Sequence, residues 1–228
     1  MMTLPPQTLA STTLSASLAE RGWATHFCEC TGDDAVIDEL SRISALLGTR
    51  TEGRTPALEE VIQPQSKEAA HPRSLSALYG LNALPFHAEL SHRPSPCRYL
   101  LLGCIDPGFP SATTMLLDWR SIGFSSDELR LLEAAPVFVR AGRRSFYSTL
   151  LPPDHRFLRY DPGCIEAVDN RGRNALRIVE HRLDGAHPLT HAWRRGGILV
   201  IDNWRILHGR GPSDESSGRR LARILIDA

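Results

Sequence analysis

The sequence predicts a mainly β protein with antiparallel sheets and flanking helices. Short apolar, β-branched runs bounded by turn residues are typical of buried strands, and residues 198–201 lie between a glycine pair and Asp-Asn in this way. Such runs are frequent in the second half of the chain, where few long helical patterns separate them. This order favours an antiparallel β architecture over a doubly wound α/β sheet.

Composition and charge are those of an ordinary globular protein. The 228 residues are 42% hydrophobic and 23% charged, which is enough to bury a full core. The 26 basic and 26 acidic residues give a formal net charge of zero, so there is no electrostatic basis for binding nucleic acid or an anionic membrane. No signal-peptide pattern or membrane-length apolar run is present. We expect one soluble cytoplasmic domain over residues 1–228, with residues 1–20 as a loose N-terminal arm.

The cysteines do not form a recognisable metal or disulfide pattern. There are five of them, an odd number, and none has the paired spacing of a zinc ribbon. We expect them to pack as small hydrophobic residues in a reducing compartment. They are Cys28, Cys30, Cys97, Cys104 and Cys164.

The first half of the chain begins with a strand and a helix. Residues 22–30 have strand character, and Asp33 begins a helix that runs to about residue 47 with apolar residues at helical spacing. Residues 49–73 contain glycine, proline and charge without periodicity, which indicates a long loop near the site or a partly ordered lid. Residues 97–105 are an apolar run that predicts a buried strand.

The elements after residue 110 alternate between strands and helices. Residues 112–117 are expected to lead into a helix, and residues 125–134 to form one after a serine cap. Residues 137–140 and 157–160 have strand character, and residues 174–182 are expected to be helical. A second irregular segment, residues 141–156, is expected to flank the mouth of the site together with residues 49–73.

His87 and Glu89 are candidate metal ligands. They are two positions apart, so on a strand both side chains would lie on one face. One imidazole and one carboxylate on the same metal are two of the three ligands of a facial triad. Alone, the pair is equally a surface histidine beside a solvated glutamate, and it gains meaning only from a third ligand.

His208 and two arginines near the C-terminus supply that context. His208 follows a short strand pattern, residues 204–207, and would be the third ligand of a triad that suits Fe(II), with zinc as the competing metal. Arg219 and Arg223 are four positions apart at the start of the last strand pattern, so they share a face. Guanidinium groups bind carboxylates by bidentate pairs, which favours iron with an anionic co-substrate.

Five segments occur in an order that resembles a known family. The chain is similar to the Fe(II)/2-oxoglutarate dioxygenases of the taurine dioxygenase and clavaminate synthase superfamily over roughly residues 80–228. Glutamate at position 89 favours clavaminate synthase and the asparagine and arginine hydroxylases of peptide-antibiotic pathways. The segments are Phe-His-Ala-Glu-Leu, Ala-Thr-Thr-Met-Leu-Leu, Phe-Leu-Arg-Tyr-Asp, Ile-Asp-Asn-Trp-Arg-Ile-Leu-His-Gly-Arg and Arg-Arg-Leu-Ala-Arg.

The resemblance implies a double-stranded β-helix (jelly-roll) core and a role for each matching residue. It implies three iron ligands: His87, Glu89 and His208. Arg219 would bind the distal carboxylate of 2-oxoglutarate with assistance from Thr114. Arg223 would lie near the carboxylate of the primary substrate.

The implied activity is an oxidation that consumes 2-oxoglutarate and O₂ at Fe(II). Oxidative decarboxylation of 2-oxoglutarate would be coupled to hydroxylation, desaturation or cyclisation of a small carboxylate. The substrate is expected to be an amino acid or derivative of specialised metabolism, free or attached to a carrier protein. The alternative is a cupin-like metal-binding module or isomerase without redox chemistry, which would neither chelate nor consume 2-oxoglutarate.

Overall fold

The computed structural model describes residues 11–29 and 32–227. Within these ranges the helices are α1 (Ser11–Arg21), α2 (Asp33–Ser44), α3 (Leu75–Tyr79), α4 (Ser126–Ala134) and α5 (Asn170–Asp184). The strands are β1 (Trp23–Phe27), β2 (Thr49–Thr51), β3 (Glu59–Ile62), β4 (Leu84–His87), β5 (Tyr99–Asp106), β6 (Thr114–Asp118), β7 (Val137–Val139), β8 (Phe146–Ser148), β9 (Ile165–Ala167), β10 (Leu189–His191), β11 (Gly197–Asp202), β12 (Ile206–Arg210) and β13 (Arg220–Asp227).

Two antiparallel sheets form the centre of the fold. The larger has the strand order β1-β11-β5-β13-β2, and β3 also pairs with β13. The second has the order β10-β6-β12-β4, and a small third sheet has the order β8-β7-β9. The prediction of a mainly β protein with a double-stranded β-helix core and flanking helices is confirmed.

Alternating side chains on each strand create the layers. On β13, Leu221 and Leu225 pack between the two sheets, whereas Ala222 and Ile224 pack on the opposite face with α1 and α2. The outer face of the second sheet is covered by α4, α5 and the third sheet through a separate apolar cluster. The space between the sheets therefore receives every second side chain of β12 and β13, which is where the candidate site residues lie.

Residues 112–117 do not lead into a helix, which corrects the sequence prediction. They enter β6, where Leu116 packs between the sheets and Leu117 packs on the outer face. A strand buried on both faces has a continuous apolar sequence, and this cannot be distinguished from a buried helix by its periodicity. Residues 157–160 are also not a strand. Their backbone makes isolated hydrogen bonds with loop residues, for example from Arg159 N to Leu150 O, and not the continuous ladder of a sheet.

The expected loose arm is wrong for residues 11–20, which form most of α1. Leu14 and Leu18 are 1% and 6% exposed and pack with α2 and the larger sheet. Their spacing of four positions places both on one helix face, which is enough to fix the helix on the core. Residues 1–10 lie outside the described part of the chain.

The cysteine prediction is confirmed for three positions and wrong for one. Cys97, Cys104 and Cys164 are free and buried. Cys28 is instead disulfide-bonded, and Cys30 lies outside the described residues. Among the helices of the described ranges, none combines the length and apolar character required to cross a membrane.

Candidate active site

The two histidines meet on neighbouring strands. β4 and β12 pair antiparallel with His87 directly opposite His208, and the centroids of their rings are 4.3 Å apart. The sequence placed His208 at the end of a strand, but the strand is β12 and His208 is its middle residue. Directly opposed residues share a face of the sheet, so both imidazoles point into the space between the sheets.

Glu89 is held beside the histidines although β4 ends at His87. The amide of Asn203 fixes its backbone: Asn203 Oδ1 accepts from Glu89 N at 2.7 Å, and Asn203 Nδ2 donates to Glu89 O at 3.0 Å. Asn203 Nδ2 also donates to Cys97 O at 2.9 Å, and the residue is 1% exposed. The expectation that strand alternation alone aligns His87 and Glu89 is therefore incomplete, because a side chain from the β11–β12 turn completes the arrangement.

The three side chains fit a divalent metal. One potential ligand atom from each of His87, Glu89 and His208 lies within 4.8 Å of the other two. His87 Nδ1 is 3.0 Å from Pro85 O, and because a carbonyl only accepts, Nδ1 carries the proton and Nε2 is left as the basic nitrogen. In His208, buried Nδ1 has no hydrogen-bond partner among the described residues. Two imidazoles and one carboxylate are the donor set of a non-haem iron site.

Electrostatics keep these ligands in their metal-binding forms. Burial raises the pKa of the Glu89 carboxyl, but Arg223 and the two histidines lower it more strongly, to about 2. Burial and the neighbouring His87 lower the pKa of His208 to about 3. At neutral pH Glu89 is therefore a carboxylate and His208 a neutral imidazole, the states in which both bind metals.

Arg219 forms a buried cationic site in the same space. It is 5% exposed, and its Nε is buried with no hydrogen-bond partner among the described residues. Burial and the nearby charge of Arg210 lower the pKa of Arg219 to about 10. A buried guanidinium without a carboxylate partner is costly for an isolated protein, so this arrangement is suited to an anionic ligand.

Arg210 is a residue of this site that the sequence analysis missed. It is two positions after His208 on β12 and so points to the same face, and it lies opposite Thr114 of β6. Its Nη2 donates to the carbonyls of Gly80 and Asn82 at 2.8 and 2.9 Å, which hold the guanidinium without neutralising it. The even spacing from His208 was the signal that could have identified it.

Arg223 bridges two carboxylates. Its Nη1 donates to Glu89 Oε2 at 3.1 Å, and its Nη2 donates to Glu60 Oε2 at 2.5 Å. Glu60 is directly opposite Arg223 in the β3–β13 pairing. No sequence signal pointed to Glu60, because residues 49–73 were interpreted as a loop and the strand β3 within them was not recognised.

One cavity of about 670 Å³ joins these groups. Its wall includes all six residues that the sequence singled out: His87, Glu89, Thr114, His208, Arg219 and Arg223. Residues of the 49–73 segment, Arg54 and Glu60 among them, form part of its rim and wall, together with Asp161. Among the described residues lining it, none comes from 141–156, so this segment does not contribute the expected wall.

Comparison with known proteins agrees with this geometry. The family described as taurine catabolism dioxygenase TauD, TfdA family, matches residues 127–225, which contain His208, Arg219 and Arg223. No curated protein sequence matches the chain. The matched residues are less than half of the chain and include β12, which carries His208 beside His87 of β4. Over these residues the chain is similar to the taurine dioxygenase family.

Solved structures similar to this chain have the same fold. Asparagine oxygenase in complex with Fe(II), 2S,3S-3-hydroxyasparagine and succinate is 17% identical with a TM-score of 0.75, covering 95% of this chain and 78% of that chain. The non-heme iron oxygenase OrfP in complex with Fe and alpha-ketoglutaric acid is 20% identical with a TM-score of 0.75, covering 93% of this chain and 77% of that chain. The family resemblance that the sequence indicated agrees with the family match over residues 127–225 and with the fold of these structures.

Proposed function

We propose that this protein is a member of the taurine dioxygenase-like superfamily, and that it is an Fe(II)/2-oxoglutarate-dependent oxygenase that hydroxylates a small amino acid or amino-acid derivative. The observation that carries the proposal is the meeting of a His-Glu-His group and the buried, unpaired Arg219 in one cavity. A metal site alone would fit many proteins. When the same cavity also contains a guanidinium that has no carboxylate partner among the described residues, the site fits a metal-chelating co-substrate that carries a second, distal carboxylate.

The three ligands would hold Fe(II) from one side. His87, Glu89 and His208 come from the β4 end and from β12, so the opposite side of the metal position faces the cavity. When bound, Fe(II) with 2-oxoglutarate supplies O₂ activation, in which 2-oxoglutarate becomes succinate and CO₂ and one oxygen atom enters the substrate. The chain itself holds Glu89 ionised through Arg223 and keeps the ligand geometry fixed through Asn203.

Arg219 and Thr114 would bind the distal carboxylate of 2-oxoglutarate. Both line the cavity and both are buried, at 5% and 3% exposure. Arg210 adds a second positive charge, and its Nη2 donates to two carbonyl groups. This combination binds an anion in a partly desolvated place, where a charge-assisted hydrogen bond contributes roughly 1.5–3 kcal/mol.

The pair of Arg223 and Glu60 supports an amino-acid substrate. A cation and an anion stand side by side in the cavity wall, 2.5 Å apart between Nη2 and Oε2. An α-carboxylate and an α-ammonium group present the complementary charges to these two side chains. The similar structures contain hydroxylated asparagine and arginine, and we extend that substrate class to this chain, either free or attached to a carrier protein.

A metal-binding module without redox chemistry is the second candidate, and anaerobic spectroscopy separates the two. Addition of Fe(II) and then 2-oxoglutarate without O₂ should produce a visible metal-to-ligand charge-transfer band. The same titration with Zn(II) is the matched control and should stay colourless. If Fe(II) binds and 2-oxoglutarate produces no band and is not consumed after O₂ is admitted, the chain is not a 2-oxoglutarate oxygenase.

A further inference from the structure

We propose that Trp193 is a positioning residue for 2-oxoglutarate and acts through Thr114. Its indole N–H fixes the Thr114 hydroxyl as a hydrogen-bond donor that points at the distal carboxylate. The inference rests on the proposed function, because the anion in question is the co-substrate. It adds to that function a residue which lies behind the cavity wall and has no direct part in binding.

Trp193 is held rigidly against Thr114. It lies two positions beyond β10, is 6% exposed, and packs in the apolar cluster between the two sheets. Its Nε1 donates to Thr114 Oγ1 at 2.9 Å. The ring of His191 meets the indole edge-on at a centroid distance of 4.5 Å, and His191 is itself opposite Thr114 in the β10–β6 pairing. These contacts leave the indole little freedom to turn.

The direction of this hydrogen bond determines what Thr114 can do. An indole N–H donates and never accepts, so the Thr114 oxygen is the acceptor and its own proton remains to be donated. Within the described residues no group accepts that proton. Arg210, which is opposite Thr114 on β12, cannot accept a hydrogen bond, and neither can Arg219. His191 lies opposite Thr114, but its buried Nε2 makes no hydrogen bond within the described residues. An anion that enters the cavity would therefore be the acceptor.

The hydrogen bond also strengthens Thr114 as a donor. A hydroxyl that accepts a hydrogen bond is polarised, and its own donated bond becomes stronger in a surrounding of low dielectric constant. Without Trp193 the hydroxyl could turn, and an unpaired lone pair would have to be buried. The Trp193 N–H therefore orients the hydroxyl before the co-substrate arrives, which lowers the cost of binding.

The test is a double-mutant cycle on co-substrate affinity. Trp193→Phe removes the N–H and keeps an aromatic side chain, and Thr114→Val removes the hydroxyl at almost constant volume. Dissociation constants for 2-oxoglutarate are measured by calorimetry under anaerobic conditions with Mn(II) in place of iron. Trp119→Phe, whose Nε1 donates to Trp204 O, is the matched control for loss of an indole N–H. Pyruvate, which lacks the distal carboxylate, is the control ligand.

We expect Trp193→Phe to weaken 2-oxoglutarate binding roughly tenfold, the effect of about one lost hydrogen bond, and to leave pyruvate binding unchanged. The double variant should bind no more weakly than Thr114→Val alone, because Trp193 acts through that hydroxyl. Additive losses, an equal loss for pyruvate, or unchanged 2-oxoglutarate affinity in Trp193→Phe would each reduce Trp193 to a packing residue. If the unaltered protein binds no 2-oxoglutarate, the proposed function fails together with this inference.

A spectroscopic measurement that does not require Trp193→Phe covers the case in which that variant does not fold. The chain has four tryptophans, so ¹⁵N-indole labelling gives at most four side-chain resonances. One of them should move both in Thr114→Val and when 2-oxoglutarate is added, and pyruvate should move it less. If no indole resonance responds to both changes, Trp193 does not position Thr114.

Discussion

The side-chain amide of Asn203 makes hydrogen bonds with both the backbone N–H and the backbone C=O of Glu89. These bonds replace the ones that a neighbouring strand would make. The donor–acceptor distances are 2.7 Å and 3.0 Å. Asn203→Ala should weaken Mn(II) binding by roughly tenfold and lower the free energy of unfolding by about 1–3 kcal/mol, because buried backbone groups lose their partner. Calorimetric metal titration and urea unfolding measure the two effects.

Asn174→Ala, on the exposed surface of α5, is the control for Asn203. Asn203→Asp keeps the acceptor for Glu89 N and loses the donor to Glu89 O, so its metal affinity should fall between those of the unaltered protein and Asn203→Ala. Unchanged metal affinity in Asn203→Ala would mean that Glu89 is held in place by Arg223 alone.

His208→Ala should abolish metal binding and consumption of 2-oxoglutarate. Removing one of three ligands leaves His87 and Glu89, which do not retain a divalent ion at micromolar concentration in the presence of competing water. Metal content after dialysis and succinate formation are the measurements. His181→Ala on the exposed face of α5 is the matched control. Full activity of His208→Ala would show that the triad is wrongly assigned.

Arg219→Lys should raise the KM for 2-oxoglutarate by about one to two orders of magnitude. Lysine keeps the charge but loses the planar fork that pairs with a carboxylate. The neighbouring Arg220→Lys is a close control, because Arg220 pairs with Asp33 outside the cavity through Nη1 and Oδ2 at 2.9 Å. Equal effects of the two substitutions on steady-state kinetics would remove the anion site.

Glu60→Gln should impair use of the amino-acid substrate and spare 2-oxoglutarate. It removes the negative charge beside Arg223 and keeps a side chain of the same shape. In a panel of the twenty L-amino acids, those that accelerate 2-oxoglutarate consumption in the unaltered protein should do so with a KM at least about tenfold higher in Glu60→Gln. Glu59→Gln, on the same strand and exposed, is the control. A changed KM for 2-oxoglutarate instead would place Glu60 on the co-substrate side.

Leu14→Ala should lower the free energy of unfolding by about 2–5 kcal/mol, since it leaves a cavity between α1 and the larger sheet. Leu46→Ala, at a position that is 46% exposed, should change stability by no more than about 0.5 kcal/mol. Urea unfolding compares them. Similar small effects from both would mean that α1 does not contribute to the stable core.

The sequence predicted the elements whose apolar runs are bounded by turn residues. Spacing and resemblance together selected six residues that line one cavity. Prediction failed where the signal depended on partners distant in the chain. β6 is buried on both faces, so its sequence does not show the alternation of apolar and polar residues by which a strand is recognised. α1 is held on the core by only two well-buried leucines, which is a weak sequence signal. Arg210 could have been found from its even spacing to His208.

Glu60 could not have been found in this way, since its position depends on the register between β3 and β13. Asn203 belongs to a turn that the sequence did identify, but its two bonds to Glu89 join residues 114 positions apart. Local patterns specify which residues a strand exposes on each face. They do not specify which strand lies beside it. The contact of Glu60 with Arg223 and that of Asn203 with Glu89 both depend on which segments become neighbours.

The site has a consequence for the order of events during protein synthesis. The ion pair between Arg223 and Glu89 joins residues 134 positions apart, and Arg223 lies on the final strand of the fold. His87 and Glu89 therefore leave the ribosome long before His208, Arg219 and Arg223, which complete the candidate site. Until those residues have emerged, His87 and Glu89 lack their partners, so the candidate site can form only after β12 has paired with β4 and β13 with β5.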